Sequence, residues 1–252
     1  SALMASTQGR MNIAIGAQAL ASYNYSGPGN VAIGHHSMKN LSHSGFIGIG
    51  SNTAVGANTM STGDHNHLNT VMGYNAMKNA ESSGYNTAIG VGTLENSIGG
   101  HQNTAIGFYA LQSHLSGSAN VAIGSWALSA DTIGYENVAI GNDALSKNTN
   151  GHSNVAVGTS ALSFSRTITN LVAVGDSALA RNGLDIDLPD DGFYNTAVGA
   201  KALSENTNGR LNTAVGYYAL RSNLGGNCNG QYDEHGNCAQ GDQNTAIGAQ
   251  AG

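Results

Sequence analysis

Residues that could do chemistry are few in this chain, and most of them are clustered. Cys228 and Cys238 are its two cysteines, and both lie in the run RSNLGGNCNGQYDEHGNCAQGDQ, residues 221–243. Two thiols that close in one polar segment can pair as a disulfide or supply thiolates to a metal. Zinc would need further ligands, of which His235 is the nearest at an atypical spacing, so a disulfide staple is the simpler reading. Tyr232, Asp233, Glu234 and His235 would then sit at the stapled tip and form a first candidate contact surface. A second run, RNGLDIDLPDDGFY at residues 181–194, carries Asp185, Asp187, Asp190 and Asp191. Oxygen-rich segments can hold Ca²⁺. This spacing matches no EF-hand, so a solvated acidic loop is expected, with calcium as the sharper alternative. Nine histidines are scattered through the chain, densest in DHNH at residues 64–67. Nothing converges on His65 and His67 in sequence, and they read as turn residues in water.

Aromatic side chains supply another candidate. After each recurring Gly come two variable residues, reading His35-His36, Tyr74-Asn75, Phe108-Tyr109, Ser125-Trp126, Asn142-Asp143 and Tyr217-Tyr218. Placed in register, Tyr74, Phe108, Tyr109, Trp126, Tyr217 and Tyr218 would line one edge. Aromatic faces suit sugar rings and protein hot spots, and they also suit a seam between subunits. Catalytic signatures are missing: there is no G-x-S-x-G elbow, phosphate loop, H-E-x-x-H helix or calcium nonapeptide. Neither an enzyme nor a cofactor is expected.

What positions these residues is a repeat. The unit Asn, any residue, Ala, Ile or Val, Gly begins at Asn12, Asn30, Asn52, Asn86, Asn103, Asn120, Asn137, Asn154, Asn195, Asn212 and Asn244. Looser copies begin at Asn69 and Leu171, and from Asn52 to Leu171 every step is 17 residues. Self-similarity at a fixed period marks a stacked architecture. In NTAIG the residue types alternate as in a strand, placing Thr or Val and Ile on one side and Asn and Ala on the other. The Gly closes the strand where the chain must turn. An Ala-Leu pair (Ala110-Leu111, Ala127-Leu128, Ala144-Leu145) reads as a second short strand, and a polar stretch returns the chain. The expectation is an all-β parallel solenoid of about a dozen coils with Asn stacked on Asn. The Ile side is expected inside. The Ala side is expected to pack against another copy of the chain in a symmetric oligomer. Thr interchanges with Val and Ile at the second position (Thr104, Val121, Ile13) and is read as inward, which removes an ice-binding reading.

Composition agrees. Of 252 residues 36 are Gly and only 2 are Pro, 10% are charged and 40% hydrophobic, with a net charge of −6. Hydrophobic content this high argues against disorder. Acidity this mild gives no basic face for nucleic acid. No run is apolar for the roughly 20 residues a membrane helix needs, so no direct membrane insertion is expected. Residues 1–11 read as a remnant or lead-in segment, with any export signal or anchor outside these residues, and 12–252 as one repeat domain with insertions at 181–194 and 221–243.

NVAIG and NTAIG followed by a small residue, once per coil across residues 12–250, resembles the head repeat of YadA-like trimeric autotransporter adhesins and the related repeats of phage tail fibres. The resemblance implies a left-handed parallel β-roll in a homotrimer around a common axis, displayed outside a cell or on a virion, whose work is attachment. Its implied partners are further copies of the chain and a surface glycan or protein receptor of a target cell. An extracellular setting would also favour the Cys228–Cys238 disulfide. The 17-residue period and the Ala-Leu pair are longer and more regular than the usual adhesin head and closer to fibre-type repeats. Two functions follow: a receptor-binding segment, or a passive rigid shaft that presents a tip elsewhere. Insertions near the C-terminal end point to the first, and the uniform middle, residues 52–180, to the second.

Overall fold

A computed structural model describes residues 11–21, 28–42, 50–183, 192–223 and 242–252. These residues form an all-β parallel solenoid of about 11 coils of roughly 17 residues. The chain divides into two compact units, Ser1–Ile133 and Gly134–Gly252. In the first unit the strands are β1 (Ile13–Ile15), β2 (Val31–Ile33), β3 (Asn40–Ser42), β4 (Thr53–Val55), β5 (Thr62–Asp64), β6 (Thr70–Met72), β7 (Thr87–Ile89), β8 (Thr104–Ile106) and β9 (Val121–Ile123). There β1, β2, β4, β6, β7, β8 and β9 pair in that order, all parallel and like on like, as Thr87, Ala88 and Ile89 pair with Thr104, Ala105 and Ile106. Among the described residues, β3 and β5 pair outside this row, and single parallel bridges such as His67 to Gly84 and Gly84 to His101 join the return segments. The second unit repeats the plan with β10 (Val138–Ile140), β11 (Val155–Val157), β12 (Val172–Val174), β13 (Thr196–Val198), β14 (Thr213–Val215) and β15 (Thr245–Ile247).

Three side-chain columns run through the coils. Ala at the centre of most strands is buried, as at Ala88, Ala105, Ala122, Ala139 and Ala156, with Val71 taking the place in β6. The Ala of the Ala-Leu pair forms the next column and its Leu the third, with Leu94, Leu111, Leu128, Leu145 and Leu162 all fully buried. Burying one Leu contributes about 1.5–3 kcal/mol, so the Leu column is the main apolar support of each thin coil. The flanking strand residues, Thr104 and Ile106 for example, are half-exposed, and Ile140, Val174 and Val198 are more exposed still.

This reverses the facing expected from the alternation. Ala and Asn point inward, while Thr, Val and Ile point outward. In most coils the inward places hold Ala, Asn and one Leu, while Leu171 and Val71 show that a further branched aliphatic can take one of them; the strand-flanking Thr, Val and Ile stay outside. The uncovered apolar side is therefore the Thr/Val and Ile/Val face rather than the Ala face. Thr is outward as well. The inward placement that removed an ice-binding reading is therefore not what the structure shows.

The expected second strand is also not formed. Ala110-Leu111 and its counterparts lie in a run of turns, with Leu111 at φ 51 and Leu128 at φ 51. Left-handed backbone costs a non-Gly residue roughly 1–2 kcal/mol. Burial of the Leu side chain offsets this, as does the hydrogen bond its N–H donates to the next coil, Leu111 to the Ala127 carbonyl at 3.0 Å. Gly107 shows why the strand ends on glycine. Its φ is +135, and a Cβ there would meet the Gly124 carbonyl oxygen of the next coil at 2.5 Å.

Asparagine closes each coil. Asn103 Nδ2 donates to the Gly117 carbonyl (3.1 Å), tying the coil's start to its end, and Asn103 Oδ1 accepts from Asn120 N (2.9 Å) and Asn120 Nδ2 (3.1 Å). Asn137 and Asn154 repeat this in the second unit. Leu171 interrupts the amide column, and the solenoid compensates from a neighbouring position. Asn182, fully buried, donates to the Gly192 carbonyl (2.8 Å) and accepts from Asn195 Nδ2 (3.0 Å) and Asn206 Nδ2 (2.6 Å).

Candidate functional site

Each strand-ending Gly is followed by two residues held in register by backbone hydrogen bonds that step one coil at a time. Tyr109 N donates to the Val91 carbonyl (2.9 Å), and Trp126 N donates to the Phe108 carbonyl (2.8 Å). The second residue of each pair has positive φ, 55 at Tyr109 and 61 at Trp126. Its side chain thereby stands out from the turn along the coil edge. Gly92 occupies the equivalent place one coil before Tyr109, and the Tyr109 ring lies in the space a Gly92 side chain would fill.

Phe108, Tyr109 and Trp126 come together as expected. Their ring centroids are 4.2 Å apart for Phe108–Tyr109, 4.8 Å for Tyr109–Trp126 and 5.6 Å for Phe108–Trp126, the last edge-on at 76°. Phe108 keeps 45% of its surface exposed and Trp126 38%. Tyr74 and Val91, at the first position of the two preceding coils, are exposed too, and they extend an apolar strip on the first unit. A cluster of three aromatics, two of them exposed, is conspicuous in a chain with 6% aromatic residues. Such patches mark interaction surfaces.

Tyr217 and Tyr218 form a separate group in the second unit, with centroids 4.3 Å apart and edge-on geometry. Here the structure adds residues the sequence reading passed over. Lys201, one coil earlier at the position equivalent to Tyr218, donates from Nζ to Tyr218 Oη (3.0 Å). Arg221 places its guanidinium carbon 4.9 Å from the Tyr218 centroid and pairs with Glu205 through Nη2 (2.8 Å) and Nε (3.1 Å). The Lys201 hydrogen bond, followed by one from Tyr217, holds the Tyr218 phenol below its usual pKa, and the same bond raises Lys201. Tyr217, which donates to Tyr218, is raised. The repeat itself was the available signal, since Lys201 and Tyr218 are 17 residues apart.

The remaining candidates are not assembled into a site. His35 and His36 lie against each other with centroids 3.7 Å apart and rings tilted by 33°, and burial followed by the neighbouring His35 charge lowers the pKa of His36. His67 leans over Gly84 to within 6.0 Å of the His101 ring. Among the described residues no group of three or more potential metal ligands occurs, and no helix is long and apolar enough to cross a membrane. Cys228, Cys238, Tyr232, Asp233, Glu234 and His235 lie outside the described residues, as do Asp185, Asp187, Asp190 and Asp191.

Fold and edge together define the chain as a parallel β-solenoid bearing solvent-facing aromatic clusters. Comparison with family models, with curated proteins and with solved structures gives no match.

Proposed function

We propose that this chain is a segment of an extracellular trimeric fibre that attaches to a target cell surface, and that Phe108, Tyr109 and Trp126 form its contact. The aromatic cluster carries the reading. Two exposed rings, Phe108 and Trp126, packed about a half-buried Tyr109 on a rigid, hydrogen-bonded turn lose little conformational freedom when they bind, which favours a recognition surface. The outward Thr/Val and Ile/Val face supports the oligomer. A continuous column of half-exposed aliphatics is what a symmetric self-association buries, and the resemblance of the NTAIG repeat to trimeric adhesin heads and tail fibres sets the number at three.

A passive shaft is the second reading, favoured by the unbroken 17-residue steps from Asn52 to Leu171. Binding of the labelled full chain to a panel of cell surfaces and glycans separates the two. Attachment that falls at least about tenfold in Trp126→Ala and Phe108→Ala supports the contact, since truncating a hot-spot aromatic costs 2 kcal/mol or more. A folded chain that attaches to nothing on the panel returns the molecule to the shaft reading.

A further inference from the structure

The second unit carries a different aromatic group from the first, and the difference is charge. Around Tyr218 stand Lys201 at 3.0 Å from the phenol oxygen and Arg221 over the ring face. Positions equivalent to Lys201 in earlier coils of this unit are Asp143, Ser160 and Ser177, so the cationic character is local to the Lys201 and Tyr218 coils. It stands out on a chain whose net charge is −6.

The two cations differ in what they have left to offer. Arg221 is committed to Glu205, whose other oxygen accepts from Ser222 Oγ (3.3 Å). Lys201 is not: among the described residues no carboxylate lies within ion-pair distance of it, and Asp176 acts only through space. An ammonium has three N–H donors, and the Tyr218 oxygen takes one. Tyr218 Oη is in turn occupied by both Lys201 and Tyr217, so the phenol steers the ammonium and leaves the ligand to it. Beside it Tyr217 presents a ring that is 50% exposed. An apolar aromatic face next to an ammonium with free donors matches a sugar ring bearing a negative group: the C–H face of the ring lies on the aromatic, and the anion accepts from the ammonium.

We infer that Tyr217 and Lys201 form a binding site for an acidic saccharide, with the sugar ring on Tyr217 and its anionic group on Lys201 Nζ. This deepens the attachment reading and rests on it. The aromatic cluster at Trp126 would take contacts by shape and stacking, whereas this site selects for charge.

The test is titration of the full chain, followed by ligand-observed NMR, with three probes: a glucuronate-containing tetrasaccharide, the same tetrasaccharide with its carboxylates reduced to alcohols, and a sulfated tetrasaccharide. The acidic probes are expected to bind about tenfold or more tightly than the reduced one, because a charge-assisted hydrogen bond is at stake. Preference between the carboxylated and sulfated probes identifies the natural anion. Added salt should weaken the acidic probes and leave the reduced one unaffected. Lys201→Gln should abolish the preference, Lys201→Arg should keep it, and Tyr217→Ala should weaken all three probes together. Circular dichroism and solution mass should be unchanged in every variant. Equal binding of acidic and reduced probes, or a preference that survives Lys201→Gln, overturns the inference. So does a lower solution mass in Tyr217→Ala, which would place the ring at a subunit seam. If the chain attaches to cells yet binds no acidic probe, this site is wrong and the attachment reading stands; if it does neither, both fall.

Discussion

His114 Nδ1 lies 2.9 Å from Asp131 Oδ2 inside the first unit, with both side chains at 0% exposure. The two residues occupy the same place on successive coils, 17 residues apart. His114 Nε2 donates to the Gly117 carbonyl (2.7 Å), the same oxygen that accepts from Asn103 Nδ2. The ring thus bridges the Asp131 carboxylate and the Gly117 carbonyl, with Asn103 Nδ2 also 3.3 Å from Nε2. In the coils before, this position holds Ala80 and Ser97, and in the second unit Asn148, Ser165, Asn182 and Asn206. The column is a polar seam within the core, and the His114–Asp131 hydrogen bond joins two of its members.

Removing one member of that pair takes a hydrogen-bond partner from a buried polar side chain, which costs about 1–3 kcal/mol. His114→Ala and Asp131→Ala should each lower stability by that order in urea unfolding. The double variant His114→Ser, Asp131→Asn uses residue types this position already accepts, and it should recover most of the loss. A double variant no better than the singles would show that the pair is not coupled.

The asparagine column makes a similar prediction without charge. Asn103→Ala deprives the Asn120 backbone N–H of its acceptor and the Gly117 carbonyl of a donor, in a place water does not reach. Unsatisfied buried groups cost about 1–3 kcal/mol each, so a loss of about 2–4 kcal/mol is expected from thermal or urea unfolding. A loss below about 1 kcal/mol would mean the coil closes by other means.

How far the fold could be read in advance follows from these columns. Register was legible because Asn, Ala and Gly recur every 17 residues, and the structure pairs them like on like. Facing was not. A five-residue alternation says that Ala and Ile oppose each other, and the usual assumption places the larger one inside. Here the inward place at the strand centre goes mostly to Ala, with Val71 as an exception, and the larger Ile and Val flank it on the outside. The Ala-Leu pair misled for a related reason: Leu rarely takes positive φ, so a buried Leu in a turn looks like a strand residue. Of the candidate contacts, Phe108, Tyr109 and Trp126 were visible as aromatic pairs after a recurring Gly. Lys201 and Arg221 were passed over because they are not aromatic, although the 17-residue offset from Lys201 to Tyr218 was there to be read. His114 and Asp131 look like ordinary surface residues until the coils are stacked.

Glycine at the strand end should be the least replaceable small residue. Gly107→Ala combines φ +135 with a Cβ driven against the Gly124 carbonyl. A loss of about 3 kcal/mol or more is expected, because backbone strain and a backbone clash add. Gly99→Ala, at φ +77 with open space around its Cβ, should lose only about 1 kcal/mol. Equal losses in chemical denaturation would mean that the close approach between coils does not matter.

Tyrosine ionisation reports on the Lys201 contact. The Lys201 hydrogen bond stabilises the Tyr218 phenolate, so Tyr218 should ionise earlier than an ordinary tyrosine as pH rises and Tyr217 later. Absorbance of tyrosinate followed through alkaline pH should show an early step. Lys201→Met should move that step upward, while Tyr218→Phe should remove it altogether. An unchanged profile in Lys201→Met would dissociate the ammonium from the ring.

Face and inside can be told apart by one pair of lysines. Ile106 flanks the buried Ala105 on β8 and points outward with the half-exposed column. On the proposal that this column is covered by other copies of the chain, Ile106→Lys sets three like charges around a common axis, while each single chain keeps its core. Light scattering should then show the mass fall from about three times 25.6 kDa towards one, with circular dichroism preserved. Ala105→Lys instead drives an ammonium into a core with no room and no partner, and it should unfold the chain whatever its oligomeric state. If Ile106→Lys leaves a trimer intact, the subunits meet elsewhere. If the unmodified chain is a stable monomer at all concentrations, the outward Thr/Val and Ile/Val face is uncovered in solution, and the trimeric proposal fails.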